Sequence, residues 1–184
     1  METNHQQKKV EIFDSTLRDG AQAEGIAFSV EDKLRIIEAL DQIGVDYIEA
    51  GNPGSNPKDM EFFARAAAMD LQHGRLVAFG STRHKNIKPE EDKNLAAILS
   101  AGTKAAAIFG KCWDLHVLQI LGTTLEENLR MIEESCAFLQ AAGREVIFDA
   151  EHFFDGYKHN PSYAMEALGA AVQGAASPMK FPKL

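Results

Sequence analysis

Apolar positions along the chain alternate between short β-rich runs and longer stretches with a helical stripe, which is the pattern of βα units on a parallel sheet. A first strand is predicted over about residues 10–16, where Val10, Ile12 and Phe13 supply apolar bulk. A helix follows over about 30–43, with Leu34, Ile36, Ile37, Leu40 and Ile43 near one face. Ser29 suits its N-cap, Asp32 stands three residues later and Gly44 provides the stop. The second strand, about 45–50, runs into the turn-rich loop 51–57, which is too long for a mere connector and reads as a binding loop. A helix over about 58–71, a strand over 75–80, a helix over 91–100 and a strand over 104–109 continue the alternation. The fourth unit takes an irregular segment, 116–121, before a helix capped by Thr124 with Glu127 in the capping-box position. That helix stops at Gly143, strand five covers 145–150, and a last helix covers about 161–173.

Five such units fit either an open doubly wound sheet or part of a closed eight-fold barrel. The first turn reads Arg18-Asp19-Gly20-Ala21-Gln22-Ala23-Glu24-Gly25 and carries no Gly-x-Gly-x-x-Gly, so a dinucleotide-binding fold loses its main support. All five strands end in polar residues, which suits a barrel mouth. A closed barrel typically needs about 250 residues, against 184 here. The expected fold is α/β, a partial TIM (β/α)8 barrel of about five βα units. Residues 1–9 are expected to be a polar tail, 10–174 the N-terminal part of a catalytic barrel, and 175–184 an unrelated tail.

A formal net charge of -8 and a pI near 5.2 argue against a nucleic-acid partner. The first nine residues lack a signal-peptide core, and no run approaches the roughly 20 apolar residues of a membrane span. A cytoplasmic protein is expected. Cys112 and Cys136 are too few for a disulfide framework and read as reduced, inert thiols.

The candidate chemistry lies at the strand ends. Asp19 on a rigid strand end can hold a hard divalent cation, and Arg18 beside it can stabilise an enolate oxygen or clamp a carboxylate. Either residue taken alone also fits a surface ion pair or a turn cap. Glu49 ends the second strand and Glu151 the fifth, so with Asp19 three carboxylates converge on one mouth if the strands are parallel and closed. Together they would supply a cation site and a general base. Lys111 and Arg83 could hold anionic groups of a substrate or sit as solvated rim charges. His84, His116, His152 and His159 read as structural or solvent-facing residues, with metal ligation by His152 the alternative. Trp113 and the Phe153-Phe154 pair read as packing.

Asp14-Ser15-Thr16-Leu17-Arg18-Asp19-Gly20-Ala21-Gln22, with Tyr47-Ile48-Glu49-Ala50-Gly51 and Phe148-Asp149-Ala150-Glu151, resembles the metal-dependent aldol and Claisen barrel enzymes. That family contains the 2-isopropylmalate, homocitrate and citramalate synthases and the 3-hydroxy-3-methylglutaryl-CoA lyases. The strings 51–59, 109–117 and 151–158 look like the citramalate synthase branch. The resemblance implies an acyltransferase condensing acetyl-CoA with pyruvate on a divalent metal, Mg²⁺, Mn²⁺ or Zn²⁺, in branched-chain amino-acid biosynthesis. Alternatives are a 2-isopropylmalate or homocitrate synthase, a carbon-carbon lyase on an acyl-CoA, and an inactive remnant or partner-binding subunit. By the same resemblance Arg18 stabilises the enolate, Asp19 ligates the metal, Glu49 sits near substrate, and Glu151 assists condensation or thioester hydrolysis. Gln22 would lie close to the metal and substrate, and Arg18 together with Lys111, the strand-end lysine above, completes the expected substrate-binding residues. The family's His-x-His ligands and its Asp-Thr-x-Gly segment are not found in these 184 residues. The expectation is a barrel cut after five units, inactive alone and either homo-oligomeric or dependent on a completing chain.

Overall fold

The computed structural model describes residues 10–175, so both predicted tails, apart from Ala175, lie outside the described residues. Five strands run in parallel in the order of the chain: β1 (Phe13–Asp14), β2 (Tyr47–Gly51), β3 (Arg75–Ser81), β4 (Ala105–Lys111) and β5 (Glu145–Glu151). Between and after them run α1 (Val30–Gln42), α2 (Pro57–Ala66), α3 (Lys93–Ser100), the single turn α4 (Asp114–His116), α5 (Leu125–Ala141), α6 (Phe153–His159) and α7 (Pro161–Gly174). A π-helical segment, Val117–Leu121, occupies the stretch expected to be irregular.

Side-chain alternation divides each strand between two layers. Ile48, Ala50, Ala78, Ala106, Ile108, Val146 and Phe148 point out to the helices and form the larger core with Ile37, Phe62, Phe63, Ile98, Ile132 and Leu139. Tyr47, Val77, Phe79, Ala105, Ala107 and Ile147 point in and form the filling of a barrel, joined by Phe13 and Phe109. A polar network closes the amino-terminal end of this interior. Tyr47 Oη donates to Glu145 Oε1 at 2.7 Å, and Arg75 donates to Glu145 Oε2 at 2.9 Å and to Glu11 at 3.2 Å. The Arg75 guanidinium lies 4.5 Å from the Tyr47 ring centre. Side chains of β2 and β5 therefore meet across the inside of the sheet, which requires strong curvature.

Local chemistry accounts for most element ends. Ser29 and Asp32 complete a reciprocal capping box on α1. Thr124 caps α5 through the Glu127 amide, but the Glu127 carboxylate turns away to Arg83 and Arg130, so only half of that expected box forms. The α2 helix stops at Ala66 instead of continuing to 71, and the loop beyond it is tied to the buried Asp41 carboxylate by the amides of Gln72, His73 and Gly74. The first strand is two residues long instead of seven. Asp14 accepts from the amide and hydroxyl of Thr16, and Ser15 O accepts from the amides of Arg18, Asp19 and Gly20, so the chain turns at once. Val10 and Ile12, expected to be apolar strand bulk, are 84% and 56% exposed. The α6 helix occupies part of the stretch between strand five and the last predicted helix, to which the sequence pattern assigns no element.

Two consequences can be measured. Gly156 lies in α6 against the Cys112 backbone, where an added Cβ would run into the Cys112 carbonyl. Alanine favours a helix interior over glycine by about 1 kcal/mol, yet Gly156→Ala should lower the unfolding midpoint because backbone cannot yield as a side chain does. The Glu127 carboxyl is pulled down to about 2 by its hydrogen bond from Arg83, supported by Arg130 and the Asn86 amide, against an ordinary 4.5. A depressed acid stabilises the fold above its unfolded value and loses that contribution as pH falls through the folded one. The stability gap between the wild type and Glu127→Gln should therefore be open above pH 4.5 and close on approach to pH 2, as followed by urea unfolding.

Candidate active site

The carboxyl ends of the five strands bring the predicted residues to one mouth. Glu49 follows Tyr47 on the inward face of β2 and is 2% exposed. Its Oε2 accepts from Arg18 Nε at 2.8 Å and from the Ser15 hydroxyl. The turn after β1 thus exists to aim Arg18 back at β2. Arg18 also donates to Asp19 Oδ1 at 3.2 Å, and its guanidinium carbon lies 3.8 Å from the centre of the Phe79 ring on β3. Stacked on that ring and paired at its edge, the guanidinium is fixed in plane. Burial raises the Glu49 carboxyl above its ordinary value, against the lowering hydrogen bonds of Ser15 and Arg18.

On the other side of the mouth Lys111 and Glu151 are register partners of β4 and β5, and Lys111 Nζ donates to Glu151 Oε2. Phe79 stacks on Phe109 with centroids 5.5 Å apart, giving the mouth an aromatic wall. Beside Lys111 and Phe109 opens a cavity of about 310 Å³, bounded by Thr82, His84, Ile120 and Met131. His152, directly after Glu151, takes a left-handed backbone (φ 56°), with Nε2 3.8 Å from Glu151 Oε1. A non-glycine residue held there costs of the order of 1–3 kcal/mol and clusters at functional sites. The His152 ring stands edge-on to His116 at 4.5 Å, and His116 packs on Trp113 at 4.6 Å. The Trp113 Nε1 and His116 Nδ1 atoms are buried without hydrogen-bond partners among the described residues.

Arg18, Glu49, Lys111 and Glu151 therefore line one mouth, with Asp19 exposed at its rim. Gln22 is exposed on a 3₁₀ turn, Gly20–Gln22. Arg83 borders the same cavity, but it is buried and bound to Glu127, Glu134 and the His84 carbonyl. Cys112 and Cys136 are free and buried, and burial pushes both thiols up to about 12. Three residues of the mouth were missed in the sequence: Ser15, Phe79 and Asp149. Asp149 was visible in principle, because Ile147, Asp149 and Glu151 share one face of a strand.

Carboxylate, guanidinium and ammonium groups facing one aromatic-walled mouth can bind a carboxylated substrate, stabilise developing negative charge and move a proton. They do not form a complete cation site. Among the described residues no three His, Cys, Asp or Glu side chains lie close enough together to hold a metal ion. Glu49 is engaged by Arg18 and Glu151 by Lys111, and Asp19, although it also pairs with Arg18, is the exposed carboxylate of the three.

A parallel barrel segment with its charged groups at the carboxyl ends of the strands belongs to the TIM-barrel class. The hydroxymethylglutaryl-CoA lyase of Pseudomonas aeruginosa superposes with a TM-score of 0.70 at 21% identity, covering 95% of this chain and 57% of that one. The HMGL-like family model matches residues 9–182, and the chain belongs to the HMGL-like family. The (R)-citramalate synthase of Aquifex aeolicus (strain VF5) is 55% identical over 169 residues, 92% of this chain and 32% of the relative. That of Synechocystis sp. (strain PCC 6803) is 54% identical over 165 residues, 90% and 30%. The chain spans about a third of the length of these curated relatives. No helix among the described residues is long and apolar enough to cross a membrane.

Proposed function

We propose that the chain contributes the first five βα units of an (R)-citramalate-synthase-like acyltransferase, which condenses acetyl-CoA with pyruvate in branched-chain amino-acid biosynthesis in the cytoplasm. The observation that carries this is Arg18, fixed on Phe79 by Glu49, opposite the Lys111–Glu151 pair at one mouth. In this reading Arg18 neutralises the enolate oxygen as a general base from outside the described residues takes the proton of the acetyl methyl group. Lys111 leaves Glu151 to meet the substrate carboxylate, and the freed Glu151 orients the water that hydrolyses the thioester. Glu49 holds Arg18 in plane, and Gln22 closes over substrate. Asp19 is the ligand this chain offers to a divalent cation, Mg²⁺, Mn²⁺ or Zn²⁺, whose other ligands come from outside the described residues. The cation would polarise the keto group.

Residues 10–174 are the N-terminal part of the catalytic barrel in this reading. Five strands leave the β1 and β5 edges for further strands, supplied by a completing chain or a second copy. The test is acetyl-CoA- and pyruvate-dependent release of free thiol by the 184-residue chain, alone and mixed with residues beyond β5 from the Aquifex relative, each with added Mn²⁺. Thiol release in the mixture supports the reading. No release in the mixture, where the intact relative turns over, refutes it.

A further inference from the structure

The roles above leave one inward carboxylate unused. Asp149 lies on β5 between Ile147 and Glu151, on the face that fills the barrel, and its register partner on β4 is Phe109. It is half-buried and makes no hydrogen bond or ion pair with the described residues. The buried structural carboxylates of this protein behave otherwise. Asp41 accepts from three amides, Asp59 from Lys33 and the Asn52 amide, and Asp92 from His84 and the amides of Asn94 and Leu95. Around Asp149 stand Arg18, Glu151, Asp19 and His152, none of them bonded to it. A carboxyl group with no protein partner, facing the centre of a mouth, has its hydrogen-bonding capacity free for a ligand.

We propose that Asp149 is a further catalytic residue, the acid that protonates the oxyanion created when the new carbon–carbon bond forms inside the mouth. The proposal rests on the acyltransferase reading. In the step, the enolate carbon bonds to the keto carbon of the 2-oxo acid and the C=O π pair moves to oxygen. That oxygen takes the carboxyl proton of Asp149 and becomes a tertiary hydroxyl, leaving Asp149 as carboxylate. Solvent at the half-exposed Glu151 and His152 side of the mouth returns the proton. Burial raises the Asp149 carboxyl above its ordinary value, with Arg18 opposing, and Glu151 and Asp19 adding to the rise. The direction favours the protonated acid relative to an ordinary aspartate.

The test uses the full chain labelled with ¹³C-carboxyl aspartate, with Asp149→Asn to assign the resonance. One aspartate should titrate above the others, vanish in D149N, and shift on addition of citramalate, which carries the tertiary hydroxyl, more than on addition of pyruvate. A resonance that titrates with the other aspartates, or ignores citramalate, overturns the proposal. A raised acid stabilises the fold only at low pH, so D149N should fold and melt at a higher temperature than the wild type at pH 7. In the preparation that releases thiol, D149N should lower kcat about 100-fold or more with KM within about threefold, and Asp149→Glu should recover part of the loss. Equal kcat in D149N and the wild type overturns the assignment of Asp149 alone. Absence of thiol release from the wild type overturns the acyltransferase reading instead.

Discussion

Arg18→Lys is expected to lower kcat for thiol release by about 10²–10³-fold, the cost of removing one donor aimed at a developing oxyanion. Lysine keeps the charge but loses the geometry. Arg18 uses Nε for Glu49 at 2.8 Å, a terminal nitrogen for Asp19 at 3.2 Å, and its flat face for Phe79 at 3.8 Å. A point charge on a flexible stem reproduces at most one of these contacts. An interaction made chiefly in the transition state lowers kcat and leaves KM nearly unchanged, so the kinetic split matters as much as the size of the loss. Undiminished kcat in Arg18→Lys would remove Arg18 from the chemistry.

Asp59→Ala should destabilise the chain by about 3–5 kcal/mol, the usual effect of breaking a buried ion pair from one side. Lys33 Nζ donates to Asp59 Oδ1 at 2.6 Å and to the Ala50 carbonyl at 2.9 Å, and both side chains are buried. Removing the carboxylate strands an ammonium among Phe62 and the strand backbone, and also frees the Asn52 amide. Against a typical domain stability of about 5–15 kcal/mol, that loss should move the urea midpoint far enough to leave part of the chain unfolded at 37 °C. The double change Lys33→Met with Asp59→Leu should recover most of it, because the uncompensated charge is gone. A midpoint for Asp59→Ala within experimental error of the wild type would refute the account. The pair matters for the site because Ala50 and Asn52 immediately follow Glu49 and fix where β2 ends.

Much of this fold was legible from period alone. Each of the five strands was found with its polar end, and the Ser29–Asp32 box predicted the start of α1 because both partners are local. What was lost was non-local. Glu127 has the right spacing for a capping box, but Arg83 arrives from the β3 loop and outcompetes one backbone amide. Seven residues were given to the first strand because the Asx turn at Asp14 looks, in sequence, like any polar strand end. The α6 helix was hidden because it is seven residues long, contains Gly156, and starts from a left-handed histidine in place of a helix cap. At the site, Arg18, Asp19, Glu49 and Glu151 were marked by charge at strand ends. Phe79 and Ser15 carry no such mark. They matter only because β3 and the β1 turn come to lie beside β2, and that proximity is fixed by sheet register. Asp149 had a local signal, the inward parity shared with Ile147 and Glu151, but its neighbour Glu151 drew the functional assignment.

The network of Tyr47, Arg75 and Glu145 lies at the far end of the strands from any of these groups. It works like the lower hoop of a cask. It ties β2 and β5 together at the floor, and the same two strands carry Glu49 and Glu151 at the top. A change at Glu145 is therefore expected to reach the mouth through the strands themselves, with every residue around that mouth left intact.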